Sequence, residues 1–208
     1  MHAISGQSTR PKSNLLVLNY AMDENSQVFS HQIEVVRKLA DKFNQVYVIT
    51  ATRGVGQVPD NVEVIISKWI EGKRFSNSLR FVRIFLKTFK KDKNIVVFSH
   101  MTEVQSLLIS PFTRLCRIKH LIWYAHASRS LAMSFNRFFV NIIVTSTEGS
   151  CPYTGSKVVA IGQAIDESVF VFKQRKFAKP YRFIHVGRLD PSKRLDKIIN
   201  AFTKISSN

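Results

Sequence analysis

Three groups of residues have types and spacings that could do chemistry: histidines closing apolar runs, a glycine followed by two cations, and a dense belt of lysine and arginine. His126 follows LIWYA and His100 follows IVVFS. An imidazole at the end of a strand can hydrogen-bond a hydroxyl and move a proton near neutrality. It can equally make one structural bond at a loop start, and the sequence leaves both readings open. His31, His120 and His185 fall inside helical or strand patterns and read as structural or exposed. In GRLDPSK, Gly187 to Lys193, the glycine allows a tight turn. A following helix N-terminus with Arg188 and Lys193 would then suit a diphosphate; a plain basic loop is the other reading. No histidines, cysteines or carboxylates have metal-ligand spacing, so neither a bound metal nor a cofactor is expected.

The elements that must position these residues follow from patterning. Short apolar runs read as strands at Leu15–Tyr20, Gln45–Thr50, Val62–Ser67, Ile95–Ser99, Leu121–Ala125, Ile142–Thr145 and Val158–Ile161. Between them, three- and four-residue apolar spacing predicts helices over Ser30–Phe43, with Ser30 as N-cap, Asn77–Lys91 and Thr102–Leu115. Pro111 should break or kink the last of these. Mostly continuous-apolar strands alternating with helices argue an α/β fold, a doubly wound parallel sheet covered on both faces. Ligands of such sheets sit beyond the carboxyl ends of the strands, which singles out Asn19–Asp23, His100, His126 and Ser146–Glu148.

The chain has 208 residues, 45% hydrophobic, which suits one core of ordinary domain size. Two cysteines, Cys116 and Cys151, are too few for a disulfide framework and fit a reducing compartment. No run reaches the roughly 20 apolar residues that span a bilayer, and the N-terminus has no secretory signal. A cytoplasmic protein is expected, peripheral on the membrane face if surface-bound. After Phe172, KQRKFAKP reads as a linker, and Phe183–Val186 then begins one fresh strand-helix unit ending near Ile205. A single such unit cannot bury its own apolar faces, so the chain is expected to stop inside a second domain. The expected division is 1–172 and 173–208.

Val158 to Phe170 (VVAIGQAIDESVF) and GRLDPSK together resemble the crossover region of family-4 glycosyltransferases, which have the two-domain GT-B fold. The matching positions are Gly162, Gln163, Ile165, Asp166 and Phe170, then Gly187, Arg188, Leu189 and Lys193, with Ala164 where the family has glycine. The likeness is specific from Lys157 to Phe202 and only architectural over the first 150 residues. It implies nucleotide-sugar-dependent, configuration-retaining transfer, set in cell-surface polysaccharide or lipopolysaccharide biosynthesis. By that resemblance the first, Rossmann-like domain holds a glycan or lipid-linked acceptor. His126 would lie near the transferred sugar, with His100, Asp23 and Asn25 as acceptor contacts. Asp23 and Asn25 can also be read as a solvated turn. Gly187, Arg188 and Lys193 would hold the donor diphosphate. The family's Glu-x7-Glu element has no counterpart in this sequence, so the chain alone is expected to be inactive. The glycine-free loop 21–29 argues against a dinucleotide-binding oxidoreductase. Gly54-Val55-Gly56 precedes a strand, offers no helix end to a phosphate, and reads as a loop.

Thirty-one Lys and Arg against fourteen Asp and Glu give a net charge of +17, which favours anionic partners. Lys68 to Lys93 alone has nine Lys or Arg against Glu71 and Asp92. At roughly 100° per residue, Arg80, Arg83, Lys87, Lys90 and Lys91 share one arc, flanked by Phe81 and Ile84. Phe75, Leu79, Val82, Phe85, Leu86 and Phe89 take the opposite, core side. Cations bordered by apolar groups suit an anionic membrane surface. A second basic, phenylalanine-containing segment runs from Ser110 to Val140. A solvated basic face is the plainer reading. A nucleic-acid-binding module is the alternative class, but no zinc spacing, RNP-like strand or recognition helix supports it, and no nucleic-acid partner is expected. A non-catalytic glycosyltransferase-like adaptor is the third reading.

Overall fold

The computed structural model describes residues 13–70, 72–163, 170–174, 182–187, 189 and 191–206. They fall in two compact units, divided between Ala164 and Ile165. Unit 1 contains β1 (Asn14–Met22), α1 (His31–Ala40), β2 (Val46–Arg53), β3 (Val62–Ile66), α2 (Arg74–Lys91), β4 (Ile95–His100), α3 (Glu103–Leu115), β5 (His120–Trp123), α4 (Leu131–Phe139), β6 (Ile142–Thr145) and β7 (Val158–Ala160). Its strands form one sheet in the order β3-β2-β1-β4-β5-β6-β7, and every neighbouring pair is parallel. This is the α/β, Rossmann-like topology the patterning implied. Leu18 lies opposite Ile49 and Ser99, and Ser99 opposite Ile122. The register therefore brings Asn19, His100 and Trp123 level at the carboxyl edge.

Alternation along the strands builds two cores. Leu16, Leu18, Tyr47, Ile49 and Val97 face α2 and α3, meeting Phe81, Phe85 and Ile109. Leu15, Val17, Val46 and Val48 face α1 through Ile33 and Val36. Ile122 and Ile143 pack with Met133 of α4, and α3 packs along α4, so α2, α3 and α4 form one layer. On the second face α1 is the only α-helix among the described residues of unit 1. Far from it, Ile142 and Val159 remain 36% and 41% exposed.

The buried line of α2 differs from the expected one. It runs Asn77, Phe81, Phe85 and Thr88, one residue's turn away from the stripe chosen by counting apolar positions. Phe81 is 1% exposed and Ile84 packs against the core, so neither flanks a lipid-facing arc. Phe75 and Leu79, expected in the core, are 83% and 42% exposed. Two polar residues occupy the buried line because each is satisfied there. Asn77 donates to the Ile70 carbonyl at 2.6 Å and accepts from its N–H at 3.1 Å; Thr88 donates to the Ile84 carbonyl. Burying Phe81 and Phe85, about 1.5–3 kcal/mol each, anchors the rest.

Pro111 neither breaks nor ends α3, which continues to Leu115. The Leu107 carbonyl loses the N–H that residue 111 would have supplied. The Ser110 hydroxyl approaches that oxygen at 3.4 Å. Ser30 stands at the N-cap of α1 without a side-chain capping bond. Helix α4 was not foreseen, although Ser130 caps it by accepting from the Met133 N–H at 3.0 Å.

In unit 2, α5 (Leu195–Ser206) follows a short 3-10 turn at Pro191–Lys193. The expected strand at 183–186 does not form; among the described residues of unit 2 there is no strand to complete its hydrogen bonds. Phe183, Ile184 and Val186 are exposed, and the Phe183 ring meets Phe202 edge-on at 5.7 Å.

Candidate functional site

Polar and titratable side chains gather at the carboxyl edge of the sheet. His100, the last residue of β4, is only 7% exposed. Its ring stacks on Phe98 at 5.8 Å and meets His31 and Trp123 edge-on at 5.5 and 6.3 Å. Burial, and secondarily the neighbouring His31, lowers its pKa to about 4. His100 is therefore neutral at pH 7, fit to donate or accept a hydrogen bond but not to serve as an acid. His31, read from sequence as structural or exposed, is exposed at the start of α1 and faces this ring.

After His100 the chain turns through Met101, whose φ of 58° is left-handed. The Met101 N–H donates to the Trp123 carbonyl at 3.2 Å, and the Thr102 hydroxyl donates to the Leu18 carbonyl at 3.3 Å. This hairpin of contacts starts α3 with Glu103, an acid at the positive end of the helix. Burial raises the pKa of both Tyr20 and Tyr124, and the Glu103 charge raises each further. One carboxylate thus lies within electrostatic reach of Tyr20, inside β1, and of Tyr124, just past β5, over the end of β4 between them. Sequence reasoning missed Glu103. The available signal was its position three residues past the end of a central strand.

His126 lies on the exposed loop after β5, its ring 5.8 Å from that of Tyr124. The Tyr124 hydroxyl donates to the Ser128 carbonyl at 2.7 Å, which fixes the loop's start. Strands β4 and β5 are neighbours, so His100 and His126 share one edge, as the strand-end rule implied. Among the described residues four buried polar atoms have no hydrogen-bond partner: Asn19 Oδ1, Gln32 Nε2, Gln105 Oε1 and Thr145 Oγ1. Asn19 and Thr145 lie at or near strand carboxyl ends, Gln32 and Gln105 in the opening turns of α1 and α3. Such atoms are rare in folded proteins; all four are enclosed, with no surface of their own to offer a ligand.

Asp23 has a structural use in the fold. Its Oδ1 accepts from the Asn25 N–H at 3.1 Å and the Val55 N–H at 3.2 Å, tying the loop after β1 to the end of β2. The Asn25 side chain is exposed. His120 is buried within α3, β4 and β5. Its Nε2 lies 2.8 Å from Ser99 Oγ and 3.2 Å from Ser106 Oγ, and its Nδ1 lies 3.1 Å from Thr113 Oγ1. Burial lowers its pKa to about 3, so it is a neutral structural group.

Of the expected diphosphate residues, Gly187 and Lys193 are exposed in unit 2, while Arg188 lies outside the described residues, as do Ala164, Ile165 and Asp166. Within the basic segment, Arg80 donates to the Lys68 carbonyl at 2.5 Å and Lys91 pairs with Glu63. Arg83, Lys87 and Lys90 are exposed without an ion pair among the described residues. A hollow of about 330 Å³ bordered by Arg137, Tyr153 and Lys157 lies at the amino edge, away from the histidines. Among the described residues no cluster of His, Cys, Asp or Glu could hold a metal ion, and no helix is long and apolar enough to cross a membrane.

No known family profile and no curated protein matches this chain. Several solved structures share its fold. HepE of Anabaena, in complex with UDP and glucose, aligns at a TM-score of 0.54 with 12% identity, over 76% of this chain and 46% of HepE. A UDP-N-acetylglucosamine 2-epimerase aligns at 0.52 with 10% identity, over 81% and 53%. The UDP-GlcNAc 2-epimerase of Methanocaldococcus jannaschii aligns at 0.50 with 13% identity, over 72% and 45%. The chain spans about half the length of these proteins. Its architecture is that of a Rossmann-like half of a GT-B protein.

Proposed function

We propose that this chain is the acceptor-holding part of a nucleotide-sugar-dependent glycosyltransferase of the GT-B type, working in cell-surface polysaccharide or lipopolysaccharide assembly. The observation that carries the reading is the carboxyl edge of unit 1. There a neutral His100, an exposed His126 and Glu103 lie along one edge of a fold shared with a UDP- and glucose-bound protein. A sugar acceptor is a dense array of hydroxyls, each both donor and acceptor. Neutral imidazole and amide groups can pair with such hydroxyls without expelling a charge from water. His126 has the access needed to relay a proton at the reacting hydroxyl. Gly187, Arg188 and Lys193 would bind the donor diphosphate, stabilising its leaving charge, and the resemblance of these residues to family 4 supports retention of configuration. On this reading transfer needs a donor lobe larger than the 44 residues of unit 2. The 208 residues by themselves bind sugar without transferring it.

The epimerases share the fold equally well, and an epimerase rearranges a nucleotide sugar with no separate acceptor. Residue-resolved NMR separates the readings. Lipopolysaccharide-core or related oligosaccharides should shift resonances of His100, Tyr124 and His126, and His126→Ala should weaken that binding. UDP should act instead around Gly187 to Lys193. If no glycan perturbs the carboxyl edge while UDP-sugars do, the acceptor reading fails.

A further inference from the structure

We propose that the outward face of α2, at its N-terminal end, is an interfacial surface that docks unit 1 on an anionic lipid bilayer, with Phe75 and Leu79 entering the headgroup boundary. The proposal is independent of which sugar the carboxyl edge takes.

The stripe is continuous. Phe75, Leu79, Arg83 and Lys87 follow one another at four-residue steps, and Lys90 completes the row three residues on. Residues at this spacing share one helix face. All five are exposed, Phe75 at 83%. Phe81 and Phe85 hold the opposite side in the core, so the helix cannot roll to hide the stripe. Its apolar end and its cationic end are separate. Because α2 follows β3, its N-terminus lies at the carboxyl edge of the sheet, the edge that carries His100 and His126. Ile70, 44% exposed, precedes it there. On the same helical layer, with α3 between it and α2, α4 also begins at this edge, its Leu131 81% exposed.

Charge complementarity selects the occupant. Arg83, Lys87 and Lys90 are not in ion pairs among the described residues. A purely solvated basic face explains these cations but not two large apolar groups placed in line with them. A nucleic acid would use the cations and could stack a base on Phe75. Ile70, Leu79 and Leu131 have no π face to offer. An anionic bilayer uses both parts, apolar groups in the boundary region and cations against headgroups.

The test is co-sedimentation of the chain with phosphatidylcholine vesicles, alone or with about one-third phosphatidylglycerol. Binding is expected only to the anionic vesicles, and is expected to vanish as salt rises from about 0.1 M to about 1 M, where the Debye length falls from ~10 Å to ~3 Å. Joint Phe75→Ser and Leu79→Ser substitution should weaken vesicle binding about tenfold or more while leaving any binding to single-stranded DNA unchanged. Joint Arg83→Glu, Lys87→Glu and Lys90→Glu should abolish both. In the unsubstituted chain, vesicles should slow amide exchange over Ile70–Leu79. Vesicle binding undiminished by the serine pair, equal binding to neutral vesicles, or unchanged exchange at Ile70–Leu79 would overturn the proposal. So would binding of DNA that exceeds vesicle binding and depends on Phe75.

Discussion

The Asp23 carboxylate occupies the space that any side chain at residue 54 would need. A Cβ built on Gly54 would lie 2.2 Å from Asp23 Cγ and within 2.5 Å of both carboxylate oxygens. The carboxylate is held there by the N–H groups of Asn25 and Val55, and the Gly54 N–H donates to Met22. The loop after β1 is thereby fastened to the end of β2, and Gly54 is a packing requirement rather than a phosphate turn.

Gly54→Ala should therefore lower stability by about 1–3 kcal/mol, the usual cost of overpacking. Asp23→Ala should cost about 1 kcal/mol, since its hydrogen bonds are solvent-exposed. The double variant should be less destabilised than the two effects added, because removing the carboxylate relieves the clash. Urea unfolding of the three variants reads this out, and strict additivity would refute the packing relationship.

Two buried histidines make stability depend on pH. His100 and His120 have folded pKa values of about 4 and about 3, below the ordinary 6.5, because burial penalises the charged ring. Below pH 6.5 the unfolded chain takes up these protons and the folded chain does not. Stability is therefore full above about pH 6.5 and is lost as pH falls through 6.5 towards 3 to 4, with a limiting slope of about 1.4 kcal/mol per pH unit for each group. His120→Asn should cost about 1–3 kcal/mol at neutral pH, since hydroxyls of Ser99 and Thr113 lose their partner, yet flatten the acid slope. Denaturant midpoints between pH 4 and pH 8 decide it; an unchanged slope would contradict the assignment.

Much of unit 1 was legible because its strands are parallel and buried, so Leu15–Tyr20 or Ile95–Ser99 announces itself as an unbroken apolar run. The strand-end rule then placed His100 and His126 on one edge. The misreadings share a cause, which is that local polar satisfaction outweighs apolar counting. Asn77 clamps Ile70 and so takes a buried position on α2, turning the helix and moving Phe75 and Phe81 to opposite fates. Ser110 answers the carbonyl that Pro111 leaves free, so α3 runs on. In sequence Asp23 is one of several acids in a polar loop, because Gly54 meets it only in the folded chain. Glu103 and His31 escape a sequence reading for a different reason, despite Glu103's place just past a central strand. They meet Tyr20, Tyr124 and His100 only through the order of the strands. At Phe183–Val186 the pattern was correct for a strand, but a strand needs a neighbour, and the described residues of unit 2 hold none.

Helix α4 depends on one lysine outside it. The Lys157 ammonium donates to the carbonyls of Arg137 and Val140 at 3.0 Å and approaches that of Phe138 at 3.4 Å. These oxygens lie at the helix's negative end, where a cation is favoured. Lys157→Met keeps the stem and removes the donors. It should cost about 1–2 kcal/mol and speed amide exchange in α4 more than in α2. Equal effects on the two helices would mean the cap is not local.

Glu103 can be tested without any substrate, through the tyrosines it faces. Burial is the larger reason that Tyr20 and Tyr124 ionise above the ordinary 10, and the Glu103 charge adds to it. Glu103→Gln removes the charge and keeps the shape, so both tyrosines should titrate lower than in the unsubstituted chain while remaining above 10. The two should move together, and Tyr47, raised by burial and then Asp92, should stay where it is. Tyrosine-resolved NMR titration, or ultraviolet titration of the chain and its Tyr20→Phe and Tyr124→Phe variants, measures this. If only one phenol responds, the carboxylate belongs to one side of the edge and cannot address a hydroxyl held between β1 and β5. If both respond and glycan binding also weakens in Glu103→Gln, the same carboxylate is the acceptor-facing acid of the site.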